Sequence, residues 1–415
     1  MLIGEIGLGL TFLSLIIWLG LLCFWGQFWR ADQRLEDVVA SEQSPAPVLY
    51  PSVCAVVPAR NEADLLPVSL RSLLTQDYPG SFRVILVDDR STDGTATVAQ
   101  QVAQDLNESS QLEIISGTPL PPGWTGKLWA MEQGIRHAQN CTPAPDYLLL
   151  TDADIEHDSV NLQRLVAKAK QDNLDLVSLM VQLRCLDFWE QFLIPAFIFF
   201  FQKLYPFRWV NDSTKATAAA AGGCILIRNQ ALHRIGGIQV VRQALIDDCA
   251  LAQAVKLGTK DKENKGESPI PNSQSLVKGR IWLGLTSSTR SLRSYPSLAS
   301  VWEMVARTAY TQLNYSPLLL LGTLCGMTLV YLVPPVAAIV GGLTGNGLVA
   351  IASLTTWLLM ALAYLPTIQL YGCSPLLAFS LPAIAFLYTL MTLDSALRHW
   401  QGRGGAWKGR VYTPR

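Results

Sequence analysis

Apolar residues are arranged along this chain in two regimes. At both ends they form long unbroken runs, whereas between about Tyr50 and Lys256 short apolar runs alternate with amphipathic stretches. A bilayer span needs about 20 consecutive apolar residues. Leu2 to Trp25 carries one charge, Glu5, and meets that length. It predicts a retained anchor over residues 1–30, because the run is too long for a signal peptide and no A-x-A site follows. Pro317 to Val340, Gly347 to Leu370 and Ser374 to Leu393 predict about three further spans within residues 316–395. Arg30 and Arg34 follow the first run and nothing basic precedes it, so the positive-inside rule puts the middle of the chain on the cytoplasmic face of an inner or plasma membrane. Three later spans then carry the basic tail, residues 396–415, outside, where the same rule disfavours it. A re-entrant segment and an exception to the rule both stay open. Phe192 to Phe207 is shorter, aromatic and broken by Pro195, and reads as a segment lying in the membrane interface, with a buried helix of the middle domain as the alternative.

In the middle region, Ser52 to Val57, Phe82 to Val87, Leu112 to Ser116, Asp146 to Leu150 and Leu174 to Val181 have the continuous apolar character of strands buried on both faces. Helical periodicity occupies Glu62 to Leu74, Gly94 to Leu106, Gly126 to Gln139 and Ser159 to Asp172. The alternation predicts an α/β domain, bounded near residues 48–315, with a Rossmann-like, mostly parallel sheet. Such sheets bind ligands beyond the carboxyl ends of their strands. A polar, low-complexity stretch over residues 259–278 reads as a disordered insertion.

Composition narrows the class. Half of the 415 residues are hydrophobic and 15% are charged, as in a membrane protein. Thirty-two basic residues balance thirty-two acidic ones, so no bulk field points to a nucleic-acid partner. The eight cysteines stand singly, without CxxC or zinc-finger spacing, and read as reduced, mostly buried thiols.

The polar residues after each strand carry the candidate chemistry. "PARNE" (Pro58 to Glu62) follows the first strand and "DDRSTDGT" (Asp88 to Thr95) the second. Capping explains Ser91, Thr92 or Asp93 but not two adjacent acids at a strand end, where like charges repel unless something binds them. "TDADIEHD" (Thr151 to Asp158) follows the fourth strand. In extended backbone Asp152 and Asp154 point to one side. Two carboxylates with no fixed cation nearby suggest a bound Mg²⁺ or Mn²⁺, while Glu156 and Asp158 suit the N-terminus of the next helix. Asp247 and Asp248 open an amphipathic helix, where dipole stabilisation competes with a general-base role. The small residues of "AAAAGGC" (Ala218 to Cys224) would let a substrate approach the backbone.

In combination, PARNE, VDDRSTDGT, GWTGKLWA, TDADI and IDD, in this order, resemble the membrane-bound glycosyltransferases of family 2, which have the GT-A fold. "PPGWTGKLWA", "FFFQKLYPFRWVND", "AAAAGGC", "LIDDCALA" and "MVARTAYTQL" bring the resemblance closer to the hopene-associated glycosyltransferases (HpnB). The resemblance implies that Asp89 contacts the nucleotide base, with Ala59, Arg60 and Glu62 beside base and ribose. It places Lys127 near the diphosphate, Asp152 at the ribose or sugar, and Asp154 on the divalent metal. Asp248 becomes the base that deprotonates the acceptor, with Asp247 beside it. The Q/R-x-x-R-W motif of processive relatives is reduced to Arg307, which could still pair with the diphosphate. Implied partners are a nucleotide-sugar donor, expected to be a UDP-sugar, a lipid acceptor of hopanoid or polyisoprenoid type, and the membrane. A processive polysaccharide synthase is the alternative enzyme, and a non-catalytic nucleotide-sugar-binding membrane protein the alternative from another class.

Overall fold

The computed structural model describes residues 2–37, 50–258, 278–403, 406–407 and 410–411. The expected insertion therefore lies outside the described residues apart from Lys278, as does most of the tail beyond Arg403. The chain forms two compact units, each assembled from separate stretches.

The first, from Gln33–Leu183 and Trp209–Arg293, is built on an eight-stranded sheet ordered β3-β2-β1-β4-β7-β6-β8-β5. These strands are β1 (Val53–Ala59), β2 (Phe82–Asp88), β3 (Leu112–Ser116), β4 (Tyr147–Thr151), β5 (Ile155–Glu156), β6 (Leu176–Gln182), β7 (Cys224–Arg228) and β8 (Ile281–Ser291). Four of the seven neighbouring pairs are parallel and three are antiparallel. All five expected strands are present within two residues of their predicted bounds at each end, and β1, β4 and nearly all of β6 are buried along their length. The antiparallel β7 and the long β8 were not anticipated. Helices Leu66–Leu74, Thr95–Asp105, Gly126–Gln139 and Asn161–Gln171 match the periodic segments. Gly126–Gln139 packs close to the sheet through Gly134, where a Cβ would stand 2.5 Å from Val56 Cγ1 and 2.9 Å from Val87 Cγ2. Glycine is required there by the close approach. Along β8, Leu35 donates to the Leu285 carbonyl and Leu285 to that of Gln33. Glu36 Oε1 accepts from Thr286 Oγ1 at 2.6 Å and from Ser287 N at 2.8 Å, which straps the segment before residue 38 to the sheet.

The second unit comprises Met1–Asp32, Arg184–Arg208 and Ser294–Arg415. Among its described residues, four helices are long and apolar enough to cross a membrane, with windows at Gly7–Phe24, Pro317–Leu343, Gly347–Leu370 and Pro375–Trp400. Pro317–Leu343 passes through a π-helical turn, Thr328–Leu332. Pro334 has no N–H to give the Val330 carbonyl one turn back, and the Trp18 indole N–H takes that carbonyl instead, at 2.9 Å. The aromatic segment expected at the interface is a continuous helix, Phe188–Leu204, through Pro195. It buries Leu193 and Phe199 in the same core as Tyr331, Tyr364 and Met391. It packs within this helical unit and is not a core helix of the sheet unit. Of the cysteines, Cys54, Cys224 and Cys249 are buried, while Cys23 and Cys325 are exposed, so fewer are buried than expected.

Candidate active site

The carboxyl ends of β1 and β2 present two loops that hold one another. Arg60 Nη1 donates to the Asp89 carbonyl at 2.6 Å and stands 3.7 Å from Asp89 Oδ2. Asn61 adopts a left-handed backbone, φ 52°. Its N–H reaches Ser91 Oγ, and its side-chain oxygen accepts from Thr92 N. Glu62 N donates to Thr95 Oγ1 and Ala63 N to Asp93 Oδ2. The adjacent acids at the end of β2 thus have partners: Asp88 accepts from Ser91 N, and Asp89, fully buried, lies against Arg60. Ala59 is the buried last residue of β1.

At the end of β4 the two aspartates diverge. Thr151 is the last strand residue, so Asp152 and Asp154 are not in one extended segment. Asp152 Oδ1 pairs with Lys127 Nζ at 2.7 Å, and buried Asp154 pairs through Oδ2 with Arg293 Nε at 2.9 Å. Contrary to the expectation from sequence, each of these carboxylates therefore has a fixed cation beside it. Lys127 comes from the first turn of a helix whose Thr125 cap accepts from Leu128 N, and Arg293 follows β8, which no sequence pattern linked to this loop. Glu156 pairs with Arg290 across the β5–β8 ladder at 2.6 Å rather than serving the next helix. Asp158 does serve it, accepting from Val160 N and pairing with Arg164.

Behind this loop, His157 is buried between Asn161 Nδ2 and Thr151 Oγ1, each 3.0 Å away. The amide donates to Nδ1, which leaves the proton on Nε2 to go to Thr151, and Thr151 in turn donates to the Gly223 carbonyl at 2.8 Å. Burial pushes the imidazole down to about 4, so it is neutral at physiological pH.

Helix Asp247–Leu257 brings the second acidic pair to Lys127. Asp247 Oδ2 is 3.9 Å from Lys127 Nζ. Asp248 accepts from Gly222 N at 2.8 Å through one oxygen and from Cys249 N at 2.7 Å through the other. Gly222 stands between the ammonium and this carboxylate, since a Cβ would lie 3.3 Å from Lys127 Nζ and 3.4 Å from Asp248 Oδ2. Together with Leu150 and Ile238 these groups line one pocket. Burial alone would lower the Lys127 ammonium, but Asp152 and Asp247 hold it above its ordinary range. Burial, with the Asp154 and Asp247 charges, raises Asp152 against the pull of Lys127. Burial and the Asp247 charge push Asp248 up to about 6, with the two backbone N–H groups and Lys127 pulling the other way. At the far end of the helix, Lys256 donates to the carbonyls of Trp209, Val210 and Thr217, tying the chain that leads into the small-residue loop to the helix that carries Asp248. Arg307 is exposed at the C-terminal end of helix Leu298–Ala306 in the helical unit.

Three carboxylates, Asp152, Asp247 and Asp248, thus face one lysine, leaving net negative charge at the carboxyl edge of the sheet. Among the described residues, no group of three or more His, Cys, Asp or Glu side chains forms a metal cage. Both protein donors to Asp154 address its Oδ2, Arg293 Nε and Ser291 Oγ at 3.2 Å, and Oδ1 accepts from no described residue. One free carboxylate oxygen in a negative site fits Mg²⁺ or Mn²⁺, which bind through one or two carboxylates with substrate phosphates completing the shell.

The mostly parallel sheet, with acids and a lysine gathered at its strand ends, has the GT-A fold. Residues 54–236 match the sequence model of glycosyl transferase family 2; the segment carrying Asp89, Lys127, Asp152 and Asp154 is a family 2 glycosyltransferase domain. Asp247, Asp248, Arg293 and Arg307 lie beyond it. The chain is 32% identical over 143 residues to a beta-monoglucosyldiacylglycerol synthase of Synechocystis, covering 32% of this chain and 28% of that protein. It is 41% identical over 69 residues to the Staphylococcus aureus poly(ribitol-phosphate) beta-N-acetylglucosaminyltransferase TarS, covering 16% of this chain and 12% of that one. The chain therefore aligns with 28% of the first relative's length and 12% of the second's. Among solved structures, the mannosyltransferase PcManGT from Pyrobaculum calidifontis, in complex with GDP-Man and Mn²⁺, superposes with a TM-score of 0.52 at 18% identity, over 95% of this chain and 99% of that one.

Proposed function

We propose that the protein is a membrane-anchored inverting glycosyltransferase that moves a sugar from a nucleoside-diphosphate donor to a lipid hydroxyl. The observation that carries this reading is the Asp248 carboxylate, held by two backbone N–H groups in the same pocket as Lys127 and Asp247. With a pKa of about 6, Asp248 is mostly ionised at neutral pH yet basic enough to take a proton, as a general base requires. It accepts the acceptor's hydroxyl proton as that oxygen attacks the anomeric carbon, and the bond to the diphosphate breaks on the opposite face. Lys127, kept charged by its acidic neighbours, stabilises the negative charge gathering on the leaving diphosphate. Asp152 orients Lys127 and faces the ribose or sugar, and Asp89, Arg60, Glu62 and Ala59 shape the base and ribose side. A divalent ion held by Asp154 would supply further neutralisation of the diphosphate.

The lipid acceptor is supported by the four apolar helices and by the relative whose name describes synthesis of a glucosyldiacylglycerol. The hopanoid class follows from the motif resemblance, and the cytoplasmic site from Arg30 and Arg34. The test is release of nucleotide from labelled nucleotide sugars by detergent-purified protein with Mn²⁺ or Mg²⁺, followed by mass spectrometry of labelled lipids. Asp154→Asn and Asp248→Asn should each abolish most of the turnover. Unchanged turnover in both variants, or label appearing only in water-soluble products, would sink the proposal.

A further inference from the structure

The cation on Asp154 belongs to the protein. Asp154 is 7% exposed and Glu62 8%, and a single guanidinium serves both, Arg293 Nε to Asp154 Oδ2 at 2.9 Å and Nη2 to Glu62 Oε1 at 3.1 Å. Two nearly buried carboxylates are costly without a counter-charge, and the planar fork of arginine can bridge two of them. Arg293 itself is more open, its side chain 37% exposed against 9% for each carboxylate, so a ligand arriving from solvent meets the guanidinium first. The backbone does not depend on this pairing. Leu292 N donates to the Asp154 carbonyl at 2.8 Å, and Ile155 pairs with Ser291 in the β5–β8 ladder.

We propose that Arg293 is a resident counter-cation at the metal position, which makes divalent-ion uptake depend on the nucleoside diphosphate. This rests on the reading of Asp154 as the metal ligand. A divalent ion approaching Asp154 alone meets a guanidinium already in ion pair with that carboxylate, and the two cations repel. A diphosphate removes the conflict, because its oxygens offer Arg293 a second anion and complete the ion's shell. Metal and nucleotide therefore bind cooperatively, with Arg293 as the positioning residue that couples them, and the site does not fill with metal before the donor arrives.

The test is Mn²⁺ binding by the full chain in detergent, followed by electron paramagnetic resonance with no sugar donor, with and without UDP or GDP. In the wild type the nucleotide should strengthen Mn²⁺ binding by roughly tenfold or more, within the range usual for coupled sites. Arg293→Gln should bind Mn²⁺ alone about tenfold more tightly than the wild type and lose most of the nucleotide effect. Arg293→Lys, which keeps the charge, should stay near wild type, and thermal melts confirm that both variants are folded. Unchanged or weaker binding of Mn²⁺ alone by Arg293→Gln overturns the proposal. Adding Asp154→Asn to Arg293→Gln should remove the tight binding. Retention there places the ion elsewhere and overturns the metal-ligand reading, and the coupling with it.

Discussion

On the proposed mechanism, replacing Asp248 by Asn isolates the acceptor side of the reaction. Each carboxylate oxygen takes one backbone N–H, from Gly222 at 2.8 Å and from Cys249 at 2.7 Å. An amide can accept only one of the two, so one N–H is left facing an NH₂ group, a local cost of about 1–3 kcal/mol. The helix start is also held by Ala250 N to the Ile246 carbonyl, so the variant should fold with a modestly lower melting temperature. Losing a positioned general base lowers the rate by about 10²–10⁴, whereas nucleotide affinity, which draws on Lys127 and the loops after β1 and β2, should change by only about twofold. The pH dependence separates the two effects. With Asp248 raised to about 6, its reactive ionised form is about 90% populated at pH 7 and about 10% at pH 5, so kcat/KM should fall as pH drops through 6. In Asp248→Asn that acidic limb should disappear from the residual rate. An Asn variant within about threefold of wild-type kcat, or one that keeps the same limb, would show that another group takes the proton.

Further consequences concern the donor side and the frame. Lys127→Met leaves Asp152, Asp247 and Asp248 facing one another without the ammonium 2.7 Å from Asp152; kcat should fall by roughly 10² and nucleotide affinity, measured by calorimetry, should weaken. Gly134→Val meets Val56 and Val87 inside 3 Å and should cost about 1–3 kcal/mol, seen as a melting temperature several degrees lower. Burial raises Glu36, but the hydrogen bonds it accepts, from Thr286, Ser287 and Ser288 among them, together hold it below the usual carboxylate range. A depressed folded pKa gives stability that is present above the unfolded value and lost as pH falls through the folded one. The wild-type stability advantage over Glu36→Gln should thus be measurable by denaturant titration at pH 7 and shrink on acidification below about 4.

How much could be read in advance followed from how local each signal is. β1 and β4 are buried along their length and β2 through Val84–Val87, so continuous apolar runs found them, and the four helices behind them show a 3.6-residue period. β7 escaped because its five residues, Cys224–Arg228, follow a run of alanines and glycines that reads as a loop. β8 escaped because its inward positions, Ile281 to Thr286, pass into a polar stretch, Ser287 to Ser291, whose partners are β5 and the Glu36 strap. Antiparallel pairing at the sheet's far half depends on those long-range partners, which no local pattern carries. The helix Phe188–Leu204 was visible as apolar but not as a member of the helical unit, since only its tertiary partners, among them Tyr388 donating to the Leu193 carbonyl, decide that.

For the site, the same division separates acids from their counter-ions. Aspartates announce themselves because a carboxylate at the end of a buried strand is costly to leave alone, so Asp89, Asp152, Asp154 and Asp248 were legible as positions needing an explanation. The explanation first inferred, a bound metal for want of a fixed cation, was incomplete. Lys127 is twenty-five residues from Asp152 in sequence and Arg293 one hundred and thirty-nine from Asp154, and a basic residue at such separations carries no mark of which acid it will meet. The consequence is chemical. A site with Asp152 and Asp154 both bare would attract divalent ions by itself, whereas here a lysine on the first and an arginine on the second neutralise those two carboxylates before any ligand arrives. What remains is the negative excess from Asp247, Asp248 and Glu62. On the proposed reading, a nucleoside-diphosphate donor competes for both cations with its own phosphates.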